Sequence, residues 1–193
     1  KDEQTGVALA HFYTDLYPRD GKYSHAAAFP LRSGYESKGQ KITPVAAIVA
    51  NLTPPADGKP SLLSHDDVET LFHEFGHIMH MTLTQVKYAS LSGANVAWDF
   101  VEAPSQMLEN WVWQPAMLKM ISSHYKTSAA LPDEMIGKLI ESRKFNQAWM
   151  FTRQLVLGIY DLTLHRSPKD IDVTETYKRI FSELTGMKPL ETS

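Results

Sequence analysis

His73, Glu74 and His77, within Leu71-Phe72-His73-Glu74-Phe75-Gly76-His77-Ile78-Met79-His80, have the types and spacing for metal chemistry. On an α-helix, residues four apart lie one above the other on the same face, so His73 and His77 can offer two imidazole nitrogens to one ion. Glu74 is turned about 100° from His73 at 3.6 residues per turn, which puts it beside the ion and within reach of a water on it. Hydrolysis needs that arrangement. An amphipathic helix with two surface histidines carries the same letters, so the flanks must decide. Val68, Leu71, Phe72, Phe75, Ile78, Met79 and Leu83 form an apolar stripe at helical spacing. Ser64 is a good N-cap, and Asp66, Asp67 and Glu69 put negative charge in the first turns, where the helix dipole favours it. The predicted helix runs from Asp66 to Thr84. Gly76 inside it costs about 1 kcal/mol relative to alanine; either it lets another segment approach the helix closely or it is merely tolerated.

A catalytic zinc site takes three protein ligands and leaves a fourth position to water. His80 follows His77 by three residues, but His73 to His80 spans about 10 Å of helix rise, too far for one straight helix to close a tetrahedron. The third ligand must come from another element. Glu102, in Phe100-Val101-Glu102-Ala103-Pro104-Ser105-Gln106-Met107-Leu108-Glu109-Asn110-Trp111, lies twenty-nine residues past His73. That leaves room for the first helix to end, for a loop containing Ser92-Gly93 to turn, and for a second helix to run back. Glu102 is therefore assigned as the third ligand. The second helix is predicted over Val96 to Trp113, with Pro104 either kinking it or sitting in its first turn. Zinc histidines donate their other N–H to a carboxylate or carbonyl, and Glu109, Asp99 and Glu69 are the candidates here. Glu109 falls on the Glu102 face, two turns along. Trp98, Trp111, Trp113 and Trp149 are read as core.

His-Glu-Phe-Gly-His followed by Asp99-Phe100-Val101-Glu102-Ala103-Pro104-Ser105-Gln106-Met107-Leu108-Glu109-Asn110-Trp111-Val112-Trp113 closely resembles the thimet oligopeptidase family, which includes neurolysin, oligopeptidase A and peptidyl-dipeptidase. The resemblance continues through Asp15-Leu16-Tyr17-Pro18-Arg19-Asp20-Gly21-Lys22-Tyr23 and Lys138-Leu139-Ile140-Glu141-Ser142-Arg143, and so covers essentially the whole chain. It implies a zincin-like catalytic core and a zinc metalloendopeptidase acting on short or flexible peptides. His73, His77 and Glu102 would hold one Zn2+ per chain, with Glu74 as general base. It also implies longer proteins, with a large helical portion before this region and a glycine- and tyrosine-rich segment after it. That later segment supplies a histidine and tyrosines to the substrate and the oxyanion. The chain is expected to stop just short of it, at Pro189-Leu190-Glu191-Thr192-Ser193. Reduced activity is then expected, and the rival reading is a fragment that binds zinc, and perhaps peptide, without turning it over.

At 193 residues the chain is expected to be one catalytic domain, 1–193, truncated relative to the family. Hydrophobic content of 43% and a net charge of -3 argue against disorder and against a nucleic-acid surface. With no cysteine there is no disulfide framework, which suits the cytoplasm. No apolar run approaches the roughly 18 residues of a membrane span. Lys1-Asp2-Glu3-Gln4-Thr5 has neither methionine nor signal-peptide pattern and reads as an internal cut. The expected partners are peptide substrates, with self-association through surface that longer relatives cover.

The expected fold class is mainly α with a small β-sheet (α+β). Val7 to Tyr17, His25 to Leu31 and Pro44 to Leu52 read as strands. Pro44 to Leu52 is placed nearest the site, where a sheet edge pairs with substrate backbone; the simpler reading is a core strand. Thr53 to Lys59 and Pro60 form a loop. From Pro132 one long helix or two consecutive ones follow, with Phe145, Trp149, Phe151, Leu155, Ile159 and Leu162 facing inward, to an end at Arg166-Ser167-Pro168. A final helix covers Val173 to Leu184, before Gly186.

Overall fold

The computed structural model describes residues 1–167 and 170–189; Pro168 and Leu190 to Ser193, named above, lie outside the described residues. The chain forms two compact units, the first Lys1–Ile136 and the second from Gly137 onward.

The first unit begins with five strands: β1 (His11–Asp15), β2 (Ala27–Arg32), β3 (Tyr35–Ser37), β4 (Gln40–Ile42) and β5 (Val45–Val49). β1, β5 and β2 form one sheet in that order, β5 running parallel to β1 and antiparallel to β2. β3 and β4 make a separate hairpin around Lys38-Gly39, both at positive φ. Sequence reading missed this hairpin because its strands are only three residues long. The expected strands are all present, but Pro44 to Leu52 is not at an edge. β5 is the central strand, and it alternates buried Ala46 and Ile48 with partly buried neighbours, as a strand flanked on both sides should. Edge positions belong to β1 and β2.

Lys22 ties the parallel pair at one end. Its buried ammonium donates to the carbonyls of Asp15, Tyr17 and Ala50 at 2.9, 2.6 and 2.6 Å and to the Asp15 carboxylate at 3.1 Å. Three carbonyls and a carboxylate satisfy a charge that burial would otherwise make costly.

Helix α1 (His65–Thr82) opens with a capping box: Ser64 Oγ accepts from the Asp67 amide, and the Asp67 carboxylate accepts from the Ser64 amide. Its apolar side lies on the sheet, where Ile78 and Met81 bury against Ala46 and Ile48, joined by Leu16, Ala28, Phe75 and Ala94. Phe75 meets Phe12 edge-to-face at 5.6 Å.

The second predicted helix is shorter than Val96 to Trp113. Helix α2 covers only Ala103–Glu109, with Pro104 in its first turn, and passes into a 3-10 turn, Asn110–Trp113. Residues Val96 to Glu102 are bend and turn, and Pro104 sits in the first turn of α2, where proline is favoured over a helix interior. Helix α3 (Pro115–Ile121), which follows, was not anticipated.

Helix α4 (Asp133–Lys144) spans the boundary between the units. From Pro132 to Arg166 there are two helices, α4 and α5 (Gln147–Arg166), broken where Asn146 takes a left-handed φ of 58°; the second unit contains α5 and also α6 (Val173–Thr185). α6 is capped by Asp172 at its start and by left-handed Gly186 at its end. Val156 and Ile180 are buried, and Tyr160 packs edge-on against Tyr177 at 5.4 Å. Phe145, Trp149, Phe151, Leu155, Ile159 and Leu162 do not face inward as expected: all six are exposed. α5 is apolar on more of its circumference than one partner helix covers. Among the described residues no helix is long and apolar enough to cross a membrane.

Candidate metal centre

α1 and α2 pack closely enough to share a site because Gly76 has no side chain. A Cβ built on it would stand 2.5 Å from Ser105 Cα and 2.7 Å from the Pro104 carbonyl oxygen, distances that real Cβ atoms do not reach. The approach brings the start of α2, where Glu102 stands at the N-cap position, over the histidine face of α1.

His73 and His77 stand on that face with ring centroids 5.0 Å apart. Glu102 Oε2 is 3.4 Å from His73 Nε2 and 3.2 Å from His77 Nε2. Bonds of about 2.0–2.1 Å to a tetrahedral ion separate neighbouring ligand atoms by about 3.3 Å. The spacing therefore fits a small tetrahedral cation. Among the described residues, these three are the group whose ligand atoms all fall within 4.8 Å of one another. His80 lies outside it. Its Nδ1 is buried without a hydrogen-bond partner, its ring stands 6.2 Å from that of Phe100, and burial holds its pKa below the usual histidine value.

Two of the three members are held in place by a neighbour outside the group. Ser105 Oγ donates to Glu102 Oε2 at 2.7 Å, and this bond, followed by the nearby His77 and His73, holds the Glu102 carboxyl below the usual range. His73 Nδ1 meets Glu109 Oε1 at 2.6 Å, which points Nε2 toward Glu102. Of the three carboxylates proposed for that duty, Glu109 takes it; Glu69 instead accepts from the Trp113 indole N–H at 2.6 Å. Sequence reading missed Ser105, whose hydroxyl follows the Glu102 carboxylate by three residues, the reverse of the usual capping-box order.

Glu74 is buried at 7% exposure. Burial raises its pKa, against the opposing pull of His73 and His77 and, least, of the nearby Ala28 backbone amide. That amide lies on β2, so an edge strand of the sheet borders the site. The tryptophans are not uniformly core: Trp98 is 92% exposed and Trp111 51%, while Trp113 is partly buried against the His65 ring at 4.2 Å.

A buried acid between two histidines, with a carboxylate closing the third corner, is an arrangement that can bind a metal and relay protons. The model of Peptidase family M3 matches residues 1–192. The chain belongs to peptidase family M3. Within the family it is similar to a thimet-like oligopeptidase of Dictyostelium discoideum, at 45% identity over 181 residues, 91% of this chain and 27% of the relative. Saccharolysin of Saccharomyces cerevisiae is 40% identical over 188 residues, 95% of this chain and 26% of the relative. Oligopeptidase A of Escherichia coli is 40% identical over 177 residues, 88% of this chain and 26% of the relative. This M3 chain thus spans about a quarter of the length of the curated relatives it matches.

Proposed function

We propose that this chain carries the zinc-binding part of an M3 oligopeptidase that hydrolyses peptide bonds in short or flexible peptides. His73, His77 and Glu102 are the metal ligands, one zinc per chain, and Glu74 is the general base. The observation that carries this reading is the set of 3.2 and 3.4 Å ligand separations beside a buried glutamate. Held by His73, His77 and Glu102, a zinc ion would supply Lewis acidity to a water and to the scissile carbonyl.

The protein groups do the rest. Burial keeps the Glu74 carboxylate basic enough to take a proton from the attacking water, and the same carboxyl then hands it to the departing amine. Glu109 keeps the His73 ring in one tautomer and orientation, and Ser105 does the equivalent for Glu102. β2 offers an edge next to Glu74, along which an extended substrate backbone can lie as an added strand. This moves the substrate edge from β5, where the sequence puts it, to β2. A cytoplasmic setting, in keeping with the lack of cysteine, belongs to the same proposal.

The rival reading is zinc binding, with or without peptide, but without turnover, and the same experiment decides between the two. The test is cleavage of a quenched fluorescent peptide mixture, with chelator, with zinc restored, and with Glu74→Gln, alongside metal content. Chelator-sensitive cleavage that zinc restores, reduced about 10² to 10⁴-fold in Glu74→Gln with zinc still bound, is expected. Undiminished cleavage by Glu74→Gln refutes its role as base, and one zinc per chain with no cleavage establishes the second reading. Exposed Trp98, Met107 and Trp111 also support self-association; a sedimentation profile that stays monomeric at every concentration counts against it.

A further inference from the structure

The metal ligands are the end of a longer ladder. His65, Glu69, His73 and His77 recur every four residues along one face of α1. Opposite them, in reverse order, stand Trp113, Glu109 and Glu102. Glu102 faces His77 and His73, Glu109 bonds His73, Trp113 bonds Glu69, and the His65 ring stands edge-on to Trp113 at 4.2 Å.

Glu69 and His73 are one helical turn apart, close enough for a glutamate to reach an imidazole on its own helix. His73 Nδ1 therefore has two carboxylates to choose from. Glu109 approaches from α2 and leaves Nε2 aimed at Glu102; Glu69 approaches from α1 itself and would turn the ring away from that corner. Glu69 is instead held by the Trp113 indole at 2.6 Å, and that indole is steadied by His65. We propose that Trp113 is a positioning residue for the metal centre: by occupying Glu69 it reserves His73 for Glu109, and so sets the orientation of the first metal ligand.

This rests on the metal-centre reading above, and its test separates the two. Zinc affinity of the full chain is measured by competition with a chromophoric chelator, and ligand geometry by the visible absorption of the cobalt(II) form. Trp113→Phe frees Glu69 and is expected to weaken zinc about 10-fold and to change the cobalt spectrum, as loss of an outer-shell partner typically does. Glu69→Ala alone removes the competitor and should stay within about threefold of wild type. Adding Glu69→Ala to Trp113→Phe should restore most of the lost affinity, a non-additive rescue that a bond serving only to hold the helices together cannot produce. Unchanged affinity in Trp113→Phe, or a double variant as weak as the single one, overturns the proposal. So does a Trp113→Phe chain that fails to fold without metal, since the bond is then a general folding contact. If the wild-type chain binds no zinc, the metal-centre reading itself fails.

Discussion

Gly76→Ala tests whether the close crossing of α1 and α2 builds the site. The added Cβ would meet Ser105 Cα at 2.5 Å, 0.9 Å short of the 3.4 Å where ordinary contact begins. The obstacle is backbone, so no rotamer change relieves it, and α2 must move by most of that distance. Ser105 holds Glu102 at 2.7 Å, so this proposed third ligand moves with it. Metal–ligand distances tolerate only about 0.2 Å, and zinc affinity should fall about 10 to 100-fold. Stability faces opposing effects. Alanine gains about 1 kcal/mol of helix propensity over glycine, while overpacking costs about 1–3 kcal/mol. A backbone clash lies at the upper end, so a net loss of about 1–2 kcal/mol is expected. Urea unfolding of the metal-free chain and chelator competition read the two effects separately. A variant more stable by about 1 kcal/mol with unchanged zinc affinity would show that propensity rules at this position and that the crossing distance does not matter to the site.

Two further perturbations probe other parts of the first unit. Glu109→Ala removes the 2.6 Å partner of His73 Nδ1 and should weaken zinc about 10 to 100-fold with little change in apo stability; equal affinity would mean that another group orients the ring. Asp15 has its pKa lowered from 3.8, first by Arg19 and then by Lys22, so the carboxylate form is favoured in the fold. Its contribution is full above that value and disappears as pH falls through the lowered pKa. The melting-temperature gap between wild type and Asp15→Asn should therefore hold steady at and above about pH 5 and close in more acid solution; a gap that widens on acidification would reverse the sign of the argument.

Residues within one helix were legible because helical geometry is local. A spacing of four puts His73 and His77 on one face whatever surrounds them, and Ser64 with Asp67 caps α1 through bonds spanning three residues. The need for a partner from another element was legible because His80 is too far along the axis, a matter of rise per residue, and Glu102 was the candidate that the spacing offered. Strand existence in the first unit followed from apolar runs bounded by turns, but strand order did not. Whether β5 lies at the centre or the edge depends on which neighbours pair with it, and its own residues are equally suited to either place.

The choice of Glu109 over Glu69 and Asp99 was likewise invisible, since all three sit at plausible spacings and only the packed helices decide which carboxylate meets His73. The tryptophans and the apolar face of α5 were misread for a related reason: periodicity says that a face is apolar, while burial needs a partner element to cover it. The sequence by itself determined the chemistry available, two imidazoles and a glutamate on one helix with a carboxylate to follow. The tertiary structure decided that they meet, because the crossing at Gly76 is a contact between backbones twenty-nine residues apart, from Gly76 to Ser105, and no local pattern encodes it.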